Sequence, residues 1–337
     1  MKITKAAFAT LAVAALALGG CSDSTSGDAN KDTAGDAAYT VGVIQLAQHP
    51  ALDAATKGFE EKLTELIEAD GKTVTIEVQN ASGDSATAAT IANGFVSDNV
   101  NLIMANATPA LQAAAQATTD IPILGTSVTD YGAALDIEGW TGTGSTGFNI
   151  SGTSDLAPLD KQADMVKELV PDAKKVGILY SSSEANSVYQ AEEMKKNLEG
   201  LGYEVEFFTV ADSNDIAAVT QKAVDSSDVL YIPTDNTLAS AAETIDAVTG
   251  PAKKPVIAGE SGICEGAGLA TLSIDYYDLG AKTAEMAYEI LVKNADPSTM
   301  DIQTADATKK QYMAERAEAL GITIPDDYEA IVVEEEE

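Results

Sequence analysis

Val41-Gly-Val-Ile-Gln-Leu-Ala-Gln-His-Pro-Ala-Leu-Asp53 is the stretch that decides the fold: a short apolar run, a polar loop, then the start of a helical pattern. An apolar run of this length suits a buried strand, although its periodicity alone also suits a buried helix. Recurrence separates the two. Val176-Gly-Ile-Leu-Tyr180 runs into Ser181-Ser-Ser-Glu-Ala-Asn-Ser187 and a second long helical pattern. Residues 74–84 are echoed by 205–215, 101–108 by 228–235, and 121–125 by 254–259. The matched elements keep their order and lie about 130 residues apart, far beyond the period of a solenoid. They describe two α/β lobes of one design, with a cleft between them.

Working outward, strands are expected at 39–46, 73–79, 101–105 and 121–125, and again at 174–180, 203–209, 228–232 and 255–259. Helical patterns fill the gaps at 51–69, 85–98, 109–118, 183–199, 213–225 and 237–248. Such alternation implies parallel sheets with helices on both faces, so the fold class is α/β with two doubly wound parallel-sheet lobes. Asp84 and Asp215 stand at matching helix starts and are expected to cap them.

After Gly268 the repetition ends. Residues 269–274 read as a strand. Residues 278–293 read as a helix with Leu279, Thr283, Met286, Ala287, Ile290 and Leu291 on one face, and 309–320 as another. That is enough chain to return to the first lobe and cross once more. Three crossings are predicted, near 150–156, 268–275 and 298–306. The first lobe is then 39–152 plus 271–299 and the second 153–270 plus 300–333, with an acidic tail at 334–337.

The start of the chain is of another kind. Lys2 and Lys5 precede an almost wholly apolar stretch at 6–18, which Leu18-Gly-Gly-Cys21 closes. This is the pattern of a secretory signal with a small-residue cleavage site. The stretch falls short of the ~20 apolar residues of a membrane span. Residues 1–20 are expected to be a signal peptide. Residues 21–38 are Ser, Gly, Asp, Ala, Thr, Asn and Lys and are expected to be a flexible tether.

Composition excludes several functions. Hydrophobic content of 45% in a 337-residue chain gives each lobe material for its own core. The formal net charge of −33, with Arg316 as the single arginine, argues against nucleic acid and against docking on anionic lipid. Beyond Cys21 only Cys264 remains, and His49 is the single histidine, so neither a disulfide framework nor a His/Cys metal site is expected. Cys264 reads as a buried filler.

The ordered loops carry a family likeness. Gln45-Leu-Ala-Gln-His-Pro-Ala-Leu-Asp53, Gln79-Asn-Ala-Ser-Gly-Asp84, Asn106-Ala-Thr-Pro-Ala110, Ser127-Val-Thr-Asp130 and Ser183-Glu-Ala-Asn-Ser187 resemble those of solute-binding lipoproteins of ATP-binding-cassette importers, in the tryptophan- or tyrosine-binding branch. The resemblance spans roughly residues 39–330. It implies a type I periplasmic-binding-protein fold with three crossovers. It implies capture of a small molecule, often an aromatic amino acid, and delivery to permease subunits. It also implies that Cys21 becomes the first mature residue and carries a lipid to the membrane. A monomer without cofactor is expected.

In open parallel sheets ligands bind beyond the carboxyl ends of the strands. An ammonium group there needs a carboxylate or carbonyl. Asp235 is the first candidate, with Asp130 and Glu260 as alternatives, and each is also placed to cap a helix. Arg316 lies late on a helix, so a ligand carboxylate must be met by helix N-termini and hydroxyls. Ser183, Asn186 and Ser187 fit from the second lobe and Thr108 and Thr129 from the first, although such residues also cap routinely. Gln48 and His49 sit at a strand end, where His49 either meets the ligand or caps the following helix. Tyr131 and Tyr189 lie near the loops, and Trp140, the single tryptophan, reads as core.

Two motifs fail on context. Gly142-Thr-Gly-Ser-Thr-Gly147 opens no helix, as a dinucleotide loop must. Gly259-Glu-Ser-Gly262 is followed by Ile263, so it is no nucleophile elbow. No catalytic residue is assigned. A receptor for another small solute, a signalling receptor and a surface enzyme remain the rival readings.

Overall fold

The apolar run at 41 is buried because helices cover both faces of the sheet it enters. The computed structural model describes residues 38–333. The expected signal peptide, Cys21, nearly all of the tether and the acidic tail lie outside the described residues. The first elements are β1 (Ala38–Gln45), α1 (Pro50–Ala69), β2 (Thr73–Asn80), α2 (Ser85–Ser97), β3 (Leu102–Asn106), α3 (Thr108–Ala117), β4 (Ile123–Val128), α4 (Tyr131–Leu135) and β5 (Ile150–Ser154). Then come α5 (Leu159–Leu169), β6 (Lys175–Ser181), α6 (Ala185–Gly200), β7 (Glu204–Val210), α7 (Ile216–Ser226), β8 (Val229–Ile232), α8 (Asn236–Ala239), α9 (Ala242–Thr249), β9 (Val256–Ala258), α10 (Ser261–Ala267) and β10 (Ala270–Ser273). The chain ends with α11 (Tyr276–Lys293), β11 (Gln303–Thr304), β12 (Lys309–Tyr312), α12 (Ala314–Leu320) and β13 (Glu329–Ala330).

Two sheets form, ordered β11-β5-β4-β3-β1-β2 and β13-β12-β10-β9-β8-β6-β7. Strands β2-β1-β3-β4-β5 of the first match β7-β6-β8-β9-β10 of the second, place for place. The sequence echo is therefore a structural one. All pairings are parallel except β10 with β12.

Pairing also fixes where the chain changes lobes. Residues 153–154 and 300–304 were expected in the second lobe, and 271–273 in the first. Yet β5 and β11 belong to the first sheet and β10 to the second. The crossings therefore fall after Ser154, after Ser273 and after Thr304. Helix α5 packs on α6, and α11 on α1 and β4, so each returns to the lobe its sequence enters. The α1–α11 contact is backbone-close: a Cβ on Gly58 would stand 2.1 Å from the Tyr277 carbonyl, and one on Gly280 1.9 Å from that of Ala55.

Two local expectations fail. Residues 309–312, expected to be helical, form the antiparallel strand β12, because β10 offers a free edge there; the helix begins only at Ala314. Asp84 does cap α2 by accepting from Thr87 N–H. At the matching start Asp212 caps a short 3₁₀ turn, and Asp215 makes no cap bond.

Candidate ligand cleft

Helices α1, α3, α4, α6, α8 and α10 all begin just past the carboxyl ends of the strands they follow. Their starts line the two walls that face each other between the lobes. Helix α6 of the second lobe packs on α3 and α4 of the first, and α10 packs on α1. Side chains of both lobes line an opening of about 660 Å³, among them Gln48, Pro109, Ser183, Glu184 and Asn236. A second opening of about 690 Å³ is lined by Thr129, Asp130, Trp140, Ser154 and Tyr189 among others. Each is large enough for an amino acid or a comparable solute.

The first-lobe wall is built of amides and hydroxyls. Gln45 Oε1 accepts from Thr56 Oγ1 at 2.7 Å, and Thr56 Oγ1 accepts from Asn106 Nδ2 at 2.9 Å. Asn106 Nδ2 also donates to the Leu52 carbonyl at 2.8 Å, which fixes its amide and leaves Oδ1 buried without a partner. Thr108 Oγ1 and Ser127 Oγ are likewise buried and unpartnered. Ala107 (φ 94°) and Ser127 (φ 54°), at the ends of neighbouring strands, hold left-handed backbone. Strain of this kind concentrates at functional sites. Thr129 Oγ1 donates to Asp155 Oδ1 at 3.0 Å.

The second-lobe wall is built of carboxylates. Asp235 Oδ1 accepts from Leu238 N–H at 2.9 Å and Oδ2 from Ser181 N–H at 2.6 Å, so it both caps α8 and ties that cap to β6. Glu260 caps α10 through Gly262 and Ile263 N–H. Glu184 accepts from Asn236 N–H and Nδ2 and from Thr237 N–H and Oγ1. Asn186 Nδ2 donates to Glu184, Ser187 and the Thr234 carbonyl, which leaves its Oδ1 buried and unpartnered.

Burial dominates the electrostatics. It raises Glu260 to about 7 against the pull of its two backbone N–H donors. It raises Asp155, beside the crossings, to about 6, opposed by bonds from Thr129 and Tyr276. Asp235 is pushed up by burial and then by the Glu184 charge. No lysine or arginine is buried among the described residues. Arg316 bonds Asp246 and the carbonyls of Cys264, Glu265, Gly266 and Gly268, so it closes the end of α10.

The structure places Gln48 and Ser183 at the 660 Å³ opening and Thr129 and Asp130 at the 690 Å³ one, and sorts the candidates by role. Asp130, Asp235 and Glu260 carry helix caps. Ser183 bonds Ser181 and lines the 660 Å³ opening, and Ser187 is buried. Gln48 is exposed at the opening, and His49 is buried against Asn236. Tyr131 is buried, its hydroxyl donating to the Gly125 and Thr153 carbonyls. Trp140 packs partly on the core, and with Tyr189 it lines the 690 Å³ opening. Sequence reasoning passed over Gln45, Asn106, Ser127, Asp155, Glu184, Asn236 and Tyr276. Polar residues ending apolar strands, as Gln45 and Asn106 do, were the available signal. Tyr276 donates to Asp155 Oδ2 at 3.0 Å and so joins the first two crossings.

Residues 40–335 match the family described as ABC transporter substrate binding protein. A tyrosine-binding protein of Clostridioides difficile (strain R20291) is 38% identical over 298 residues, covering 87% of this chain and 84% of that one. Among solved structures, an ABC domain in complex with L-Trp from Streptococcus pneumonia is 33% identical, covers 88% of this chain and 100% of its own, and superposes with a TM-score of 0.82. A ligand-free, open substrate-binding protein with adhesive properties from Clostridium difficile is 36% identical over 88% of this chain and 100% of its own, yet reaches only 0.65. At similar identity the better fit is to the L-Trp complex. The two-lobed, three-crossing α/β architecture, the cleft between its strand ends and the match over nearly the whole described chain identify this protein as a member of the ABC transporter substrate-binding protein family.

Proposed function

We propose that this protein is a lipid-anchored extracytoplasmic receptor that captures a free aromatic amino acid between its lobes and hands it, chemically unchanged, to the permease of an importer. One observation carries the reading: buried carboxylates, most of them on the second lobe, have no buried cation, and the first lobe holds the unpartnered oxygens of Asn106, Thr108 and Ser127. Such a site lacks a positive charge, and an amino-acid ammonium supplies one. The acidic wall of Asp235, Glu184 and Glu260, with Asp155 beside the crossings, attracts that ammonium. Thr108 and Ser127, with the start of α3, meet the ligand carboxylate. Trp140 and Tyr189 offer aromatic surface to the side chain. The tyrosine-binding relative and the L-Trp complex support the aromatic class. Anchoring rests on Leu18-Gly-Gly-Cys21 after a short apolar run.

The test is thermal shift of the compact unit 36–337 against amino acids, nucleosides and sugars. A ligand at ~100 times its dissociation constant stabilises the fold by about 2.7 kcal/mol. Response to Tyr, Trp or Phe alone is expected. Response only to another class keeps the receptor and discards the aromatic assignment.

A further inference from the structure

Among the described residues, one side-chain hydrogen bond spans the cleft away from the crossings. It joins His49 Nε2, at the start of α1 in the first lobe, to Asn236 Oδ1, at the start of α8 in the second, at 3.2 Å. The Asn236 amide is not free to turn. Its Nδ2 donates to Glu184 Oε2 at 2.5 Å, and a carboxylate only accepts. Reversing the amide would set two acceptors against each other. Oδ1 therefore faces the imidazole, and Nε2 carries the hydrogen. Glu184 is itself held by Thr237 N–H and Oγ1, so the second-lobe half of the contact is rigid.

This orientation fixes the tautomer. A neutral imidazole has one N–H, and it is spent on Asn236. The other nitrogen, Nδ1, is buried and has no partner. A proton there would add an unsatisfied donor and a charge to a site only 7% exposed. The charged groups that act on the ring are acidic: Glu184 across the cleft and Asp53 on α1. Burial nevertheless outweighs the Asn236 bond and the Glu184 and Asp53 charges, and holds the imidazole below its ordinary 6.5.

We propose that the His49–Asn236 bond is a latch of the closed form, in which the buried, partnerless Nδ1 leaves room only for the neutral imidazole, so that acidification opens the cleft and weakens ligand capture. This rests on reading the cleft as a ligand site that closes. An imidazole exposed to water titrates at about 6.5. If the closed form admits only the neutral ring, closure at pH 5.5 is disfavoured about tenfold relative to pH 8.

The experiment is calorimetric titration of the unit 36–337 with L-tyrosine and L-tryptophan at pH 8 and pH 5.5, for the natural sequence, His49→Gln and His49→Leu. Glutamine holds a non-titrating N–H near the Nε2 position. The cleft carboxylates are common to all three proteins, so differences between profiles isolate His49. The natural protein is expected to lose about tenfold more affinity on acidification than His49→Gln. At pH 8 His49→Gln should stay within about threefold of it, while His49→Leu should bind more weakly and share the flat profile. Parallel profiles for the natural protein and His49→Gln, or unchanged affinity in His49→Leu, would overturn the latch. Binding of neither amino acid at pH 8 would overturn the aromatic reading and the latch with it.

Discussion

The two walls of the cleft descend from one repeated design, yet they are finished differently. On the second lobe the carboxylates are spoken for, although Asn186 Oδ1 stays idle: Asp235, Glu260 and Glu184 each take backbone N–H donors of their own lobe. On the first lobe Asn106, Thr108 and Ser127 each leave a buried oxygen idle, and the backbone at Ala107 and Ser127 is strained. A satisfied wall owes its geometry to folding. An unsatisfied wall keeps its hydrogen bonds for something that arrives later. The second lobe thus supplies a preformed acidic face, and the first supplies the contacts that a ligand completes.

Three changes would break or sharpen that contrast. The largest effect is expected from Asp235→Ala, which strands Ser181 and Leu238 N–H in a buried setting and should cost about 2–3 kcal/mol in denaturant unfolding. If stability is untouched while affinity collapses, the carboxylate serves the ligand rather than the wall.

The next concerns pH. Asp155 and Glu260 are raised to about 6 and 7, and Asp235 is raised as well. Between pH 4 and 7 the folded chain therefore holds more protons than the unfolded one, and stability falls as pH rises through that window. The ligand-free protein should be more stable at pH 5 than at pH 8, and Glu260→Gln should flatten the difference by roughly 1–3 kcal/mol. An unchanged slope in that variant would mean that the carboxyl is not charged at a cost.

The smallest effect is on the other wall. Thr108→Val removes an unpartnered hydroxyl, so stability should hold within about 0.5 kcal/mol while affinity falls about tenfold, the worth of one hydrogen bond. A loss of stability without loss of affinity would reverse the assignment of the two walls.

The same contrast explains what could be read in advance. The alternation of apolar runs and helical patterns is local, and it placed the first four strands of each lobe within three residues at either end. Residues 309–312, Lys-Lys-Gln-Tyr, carry no such pattern; they are a strand because the edge of β10 is open to them. Asp235 and Glu260 were legible as polar groups at strand ends. Their engagement was not, because the donor to Asp235 Oδ2 is Ser181, on a strand 54 residues away in sequence.

What the sequence determined by itself is the two-lobed α/β plan, because periodicity, caps and repeats are written within short windows. What only the tertiary structure decided is which polar atoms are satisfied, where the chain changes lobes, and that His49 meets Asn236 across 187 residues of sequence. Those depend on which surfaces pack together, and packing joins positions that no local pattern connects.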